Sequence, residues 1–167
     1  MSRNILSAAV LLLSLSSCIW SEPPTYTEYR PVLLSRESLE KSIVFHEAEK
    51  IKSPGKIYFK DNYIFISEQF KGVHIIDNKD PKNPVNKGYI NVPGCVDMAI
   101  KDDILYVDNA TDLVAVNLAT LSQSAVTISK RVRDAFPELT APDGRSLPAK
   151  YRVENRPANT VLVGWVK

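Results

Sequence analysis

The sequence is short of the residues that usually mark an active centre. It has two cysteines, Cys18 and Cys95, and Cys18 belongs to an N-terminal targeting pattern, so no pair remains for an intrachain disulfide. It has two histidines, His46 and His74, and no paired metal-ligand spacing joins them. His74 lies within an apolar run, where a place at the edge of the core is expected. Glycine is rare, with six residues, and no glycine-rich phosphate loop or nucleophile elbow occurs. The formal charge is only +2, and no basic stripe interleaved with aromatics appears, which argues against nucleic acid as a partner. No apolar run is long enough to span a bilayer comfortably.

What the sequence does contain is one pattern written twice, between residues 57 and 118. The first copy reads Pro54-Gly55, Ile57-Tyr58-Phe59, a turn at Lys60-Asp61-Asn62, Tyr63-Ile64-Phe65-Ile66, and Val73-His74-Ile75-Ile76-Asp77 after Gly72. The second reads Pro93-Gly94, a run over 96–100, a turn at Lys101-Asp102-Asp103, Ile104-Leu105-Tyr106-Val107, and Leu113-Val114-Ala115-Val116-Asn117. The copies lie about 40 residues apart, with small insertions and deletions falling in the turns. Each run is short, rich in β-branched and aromatic residues, and bounded by Asp, Asn, Gly or Pro, which predicts strands.

Strict alternation is missing, so both faces of the strands are expected to be covered. Residues 85–92 and 125–132 supply a fourth strand to each unit. A period near 40 with about four strands fits a β-propeller blade, and a small β-sandwich is the alternative. The expected fold is therefore all-β: about two four-stranded propeller-like blades plus an extra strand pair, in an incomplete or open propeller. The extra pair is 151–153 with 160–166, and Ile43-Val44-Phe45 is a lone strand suited to the outside of a blade. Ser35 is placed to cap a short helix. With too few blades to cover every face, the strand ending at Val166 would carry unpaired backbone, and self-association, a partner or marginal stability is expected.

These residues resemble the LVIVD-repeat lipoproteins of Bacteroidetes. The resemblance rests on Pro54-Gly55-Lys56-Ile57-Tyr58, on Gly72-Val73-His74-Ile75-Ile76-Asp77-Asn78 followed by Asp80-Pro81 and Pro84, and on Val92-Pro93-Gly94 leading into Asp97-Met98-Ala99-Ile100. The second copy departs from it, ending in Asn117 without a following Asp-Pro. The resemblance implies a β-propeller-like fold, longer chains than this one and no catalytic signature. This chain would then be a shortened relative, a truncated frame of a larger β-propeller protein that at full length is a glycan-active or other envelope enzyme, or a unit that closes against another chain.

The N-terminus reads as a lipoprotein signal. Arg3, an apolar core over 5–15 and Leu15-Ser16-Ser17-Cys18 place cleavage before Cys18, which becomes the lipidated residue; a plain secretory signal is the alternative. The expected organisation is a signal peptide over 1–17, a lipidated end and tether over 18–34, and a β-repeat domain over 35–167. Multiple acyl chains make a firm anchor. The expected role is a membrane-anchored interaction module of the cell envelope, at the outer membrane with the leaflet left open. A second copy or another envelope protein is the expected partner.

No catalytic residue, cofactor or metal is expected. An enzyme reading would need Asp97, Asp102, Asp103 and Asp108 to converge, and turn capping accounts for them equally. The segment Asp77-Asn78-Lys79-Asp80-Pro81-Lys82-Asn83-Pro84 carries many oxygens, but Lys79 interrupts them and no central Gly is present, so Asx turns are favoured over a calcium loop. Cys95, with no cation beside it, is expected to be a buried, unreactive thiol.

Overall fold

A computed structural model describes residues 25–121 and 125–167; Cys18 and the rest of the targeting segment lie outside them. The strands are β1 (Arg30–Ser35), β2 (Val44–His46), β3 (Pro54–Lys60), β4 (Tyr63–Glu68), β5 (Gly72–Asp77), β6 (Val85–Asn91), β7 (Met98–Lys101), β8 (Ile104–Asn109), β9 (Asp112–Asn117), β10 (Thr127–Val132) and β11 (Thr160–Val166). A single-turn helix, α1 (Arg36–Glu40), and a 3-10 turn, Ala149–Tyr151, complete the elements. The strands form three sheets: β2-β6-β5-β4-β3, β10-β9-β8-β7, and the pair β1-β11. All named strand pairs are antiparallel.

The repeat is visible in the backbone. Both Lys-Asp turns are tight, with Asp61 at φ 52° and Asp102 at φ 53°, the left-handed conformation that Asp tolerates better than most side chains. The next turn in each copy also holds a non-glycine residue there, Phe70 at φ 64° and Ala110 at φ 60°. Pairing makes the equivalences explicit: Lys60 opposes Tyr63 as Lys101 opposes Ile104, and Tyr58 opposes Phe65 as Ala99 opposes Tyr106.

The two larger sheets share one core. The first contributes Phe65, Val73, Ile75 and Ile90; the second contributes Met98, Ile100, Leu105, Val107, Val114 and Val116. These sets are one residue out of phase. Phe65 is buried while its equivalent Tyr106 is exposed, and Met98 and Ile100 are buried while Ile57 and Phe59 are exposed. Successive side chains on a strand point to opposite faces, so the sheets are stacked front to back rather than front to front. Strands β3 and β7 approach each other, and Tyr58 donates its hydroxyl to the Ile100 carbonyl at 2.9 Å.

The linker between the sheets is locked by a glycine. Gly94 has φ 83°, and a Cβ there would lie 2.6 Å from the Ala110 nitrogen. Its N–H donates to the Phe70 carbonyl at 2.9 Å, while the Phe70 N–H donates to the Cys95 carbonyl at 2.7 Å. Only a residue without a side chain brings the two turns this close.

The structure corrects several expectations. The last strand does not pair with 151–153, where Tyr151 belongs to the 3-10 turn after Pro148; β11 pairs with β1 along one edge, and its other edge has no strand partner among the described residues. Residues 30–34, read as the end of the tether, are strand: both members of a two-stranded sheet are edges, where Pro31 is tolerated, and Val32 and Leu34 pack on a buried cluster. The run over 96–100 begins as strand only at Met98. The lone strand becomes β2, a fifth, outermost strand of the first sheet, so that sheet exceeds the four strands expected. Ser35 caps α1 as expected, its hydroxyl accepting from the Ser38 N–H at 3.1 Å.

The pair β1-β11 lies over the turn ends of both larger sheets. Val161 and Val163 cluster with Leu39 and Ala110, and a Cβ on Gly164 would meet the Phe70 side chain at 3.1 Å. Because β2 and β3 occupy opposite edges of the first sheet, residues 47–53 must cross its outer face. The crossing is held by Asn86 Nδ2 on the Glu49 carbonyl, Gln69 N on the Ser53 carbonyl and Lys52 N on Glu68 Oε2.

Candidate functional site

The outer face of the second sheet and the segment 136–142 enclose an open cleft of about 730 Å³. Its walls are mainly apolar, including Val96, Tyr106, Leu113 and Phe136, with Gln69, Asp97 and Asp108 at the polar side. Val96, Tyr106 and Phe136, which line this one cleft, are 40, 38 and 41% exposed. The segment is anchored where Phe136 N donates to the Thr111 carbonyl at 2.9 Å, and Glu138 is ion-paired with Arg156.

Of the four carboxylates considered for catalysis, the fold brings Asp97 and Asp108 to this cleft. Asp102 and Asp103 occupy the turn at the far end of the β7–β8 hairpin. Asp108 caps the strand entry: its Oδ1 accepts the Val96 and Asp97 N–H groups, both at 2.9 Å. Burial pushes its carboxyl above the ordinary range, against the pull of these N–H groups. Asp97 Oδ1 accepts the Met98 N–H at 2.8 Å, and its other oxygen lies 3.6 Å from Lys56 Nζ. Both carboxylates are thus occupied with backbone or surface lysine. Cys95 is fully buried beneath them; burial first, and then the charges of Asp108 and Asp97, push its thiol well up, which makes it unreactive.

His74 is buried in the first sheet. Its Nε2 lies 2.8 Å from Glu68 Oε2, Lys71 Nζ lies 2.9 Å from Glu68 Oε1, and the Tyr89 ring packs against the imidazole at a tilt of 47°, with centroids 4.8 Å apart. Burial would raise the Glu68 carboxyl, but the hydrogen bonds from His74 and Lys71 and from the Lys52 N–H bring it down to about 2. This is a structural cluster between the β4–β5 hairpin and the segment that crosses it. A second cleft, of about 460 Å³, lies beside it between the first sheet and β1-β11, lined in part by His46, Tyr89 and Trp165.

The oxygen-rich segment after β5 is a turn. Asp77 Oδ1 accepts from Lys79 N and Asp80 Oδ1 from Lys82 N, each at 3.0 Å, as Asx turns require. Among the described residues no group of three or more His, Cys, Asp or Glu is gathered as a metal site, and no helix is long and apolar enough to cross a membrane.

Two parts of the cleft escaped sequence reasoning. Gln69-Phe70 reads as an ordinary turn, and the left-handed Phe70 carries no sequence mark. The segment 136–142 reads as irregular loop, and its prolines say only that it is not strand. Comparisons of the chain with protein-family models, curated proteins and solved structures found no match.

Proposed function

We propose that this chain is a lipid-anchored interaction module of the cell envelope, at the outer membrane, that holds its partner non-covalently in the cleft between the second sheet and 136–142. The observation that carries the reading is the row of exposed apolar side chains, Val96, Tyr106 and Phe136, along a cleft of about 730 Å³ whose carboxylates are already committed to structure. Such a surface offers burial to a partner and no nucleophile beside a base. The LVIVD resemblance and the front-to-back stacking of the two repeat sheets favour a propeller-like arrangement, each sheet serving as a blade. Anchoring is assigned to Cys18 by the signal pattern before it.

The test places a photo-cross-linking residue at position 106 and, as control, at the exposed Lys130, in cells expressing the full chain. An adduct formed from 106 and not from 130 is expected; equal or absent adducts overturn the cleft as the interaction site. Fatty-acid labelling should mark the chain and miss Cys18→Ala, and equal labelling overturns the anchor.

A further inference from the structure

We infer that the face where the N-terminal segment enters the domain, around Tyr26, Arg30, Arg145, Lys150, Arg152 and Lys167, rests on an anionic lipid bilayer, so that the anchor holds the domain in one orientation. The inference rests on lipidation of Cys18 and does not depend on what fills the cleft.

Reach places the face at the membrane. Thr27 N donates to the Ser146 carbonyl at 3.0 Å, its hydroxyl donates to Asp143 Oδ2 at 2.9 Å, and Tyr26 forms a β-bridge with Ser146. The point of entry is therefore fixed to 143–146. A chain advances at most about 3.6 Å per residue, so the seven steps from Cys18 to Thr25 keep this face within about 25 Å of an acylated Cys18. The turn after β5, with Lys79 and Lys82, is placed differently. It lies at the far end of the first sheet from β1-β11, because β5 runs from Gly72, next to Phe70 under Gly164, to Asp77.

Composition suits the face to anionic headgroups. Over 25–30, 143–154 and 166–167 there are five Lys or Arg against three Asp or Glu, a net +2 that equals the formal charge of the whole chain, so the remaining sequence is balanced. None of the five forms an ion pair among the described residues. Of the three carboxylates, Asp143 is already occupied by Thr27 and by the Arg145 N–H at 3.1 Å. Lys150 Nζ lies 4.8 Å from the centre of the Tyr151 ring and Lys167 Nζ 6.0 Å from that of Tyr29, so each amine sits beside an aromatic ring. Tyr26 is 43% exposed, and Val153, next to Arg152, is 64% exposed. Cations can meet lipid phosphates while tyrosines and an aliphatic tip settle among the headgroups, where one end of a side chain is apolar and the other wet.

The experiment uses the full acylated chain in vesicles of equal parts phosphatidylglycerol and phosphatidylcholine, with a trace of lipid that carries a nitroxide on its headgroup. A fluorophore is placed on Val153→Cys or, as control, on Lys79→Cys; Cys95 is buried and stays unlabelled. Quenching at position 153 and not at 79 is expected, and it should fall in phosphatidylcholine alone and at high salt. Lys150→Glu with Arg152→Glu should lower the docked-to-free ratio by about tenfold or more, at about fivefold for each cation near an anionic surface. Lys79→Glu with Lys82→Glu, an equal change of charge, should leave it unaltered. Equal quenching at the two positions, equal quenching in phosphatidylcholine alone, or indifference to the reversal at 150 and 152 overturns the inference and leaves the anchor standing. Fatty-acid labelling that does not require Cys18 overturns the anchor. The face is then judged by flotation with the same vesicles: binding that depends on 150 and 152 upholds it, and absent binding overturns it.

Discussion

The two repeat sheets answer the same problem, a buried carboxylate at a turn end, in opposite ways. In the first, Glu68 is satisfied from nearby, by Lys71 and His74 of its own hairpin and by the Lys52 N–H of the segment that crosses the same sheet. In the second, Asp112 is fully buried and is satisfied from a distance. Arg36 of α1 reaches it with Nη1 at 2.7 and 2.8 Å, and Arg131 of β10 reaches it at 2.7 Å. Asp134 N adds a bond at 3.2 Å. Burial would raise the Asp112 carboxyl, but these partners hold it below the ordinary range. The first sheet is electrostatically self-contained, whereas the second depends on the N-terminal segment being in place. A repeat can thus keep its strands while handing one copy to the rest of the chain.

The largest test of that difference is Asp112→Ala. Removing the carboxylate leaves two guanidinium groups facing each other in a largely buried site, and losing one partner of a buried ion pair costs about 3–5 kcal/mol. Thermal denaturation should show a loss in this range. Limited proteolysis near Arg36 should accelerate well before global unfolding, and equal protection would mean that α1 does not depend on Asp112.

Next come equivalent positions on the two β-hairpins. Met98→Ala opens the shared core and should cost about 2–5 kcal/mol, whereas Ile57→Ala at the equivalent exposed site should cost less than about 0.5 kcal/mol in the monomer. Chemical denaturation of both variants measures the contrast. Similar losses would show that the sheets are not stacked out of phase.

Acid provides a smaller and more graded test. Glu68 titrates near 2 in the fold, below its ordinary value of 4.5. The unfolded chain therefore takes up this proton first as pH falls. The stabilisation is complete above about pH 4.5 and is lost between there and about pH 2. Asp112 acts in the same direction. Replacement by Glu68→Gln should flatten the dependence of unfolding free energy on pH in that window by about one proton. An unchanged slope would remove Glu68 from the account.

The smallest effect concerns the joint between the sheets. Cys95 should react with a thiol reagent only when the joint opens, so labelling of the native protein should be slow. Met98→Ala should speed it and Ile57→Ala should not. Fast labelling of wild type would contradict the burial of this thiol.

Much of the architecture could be read from local chemistry. Runs such as Tyr63-Ile64-Phe65-Ile66 cannot sit comfortably in a helix surface, and Lys60-Asp61-Asn62 and Lys101-Asp102-Asp103 announce tight turns. These signals depend on neighbours in the chain, and the hairpins β3–β4 and β7–β8 follow them. The pairing of β1 with β11 does not, because nothing near Val32 or Leu162 states which distant edge is free. Likewise, the cleft needs Tyr106, Phe70 and 136–142 to meet from three parts of the chain. Asp97 and Asp108 could be named as candidates, but only the fold separates them from Asp102 and Asp103.

The sequence by itself determined where the strands of the repeat lie, the turns that join them and the local cap on α1, because backbone propensity, turn geometry and side-chain period are short-range properties. Tertiary structure alone decided which face of each sheet is buried. Ile57 and Met98 occupy the same place in the same motif, yet one faces solvent and the other the core, because burial depends on what stacks against a sheet. The same holds for Arg36 and Arg131: their charges are evident in the sequence, but their common partner Asp112 is a consequence of packing across the whole chain.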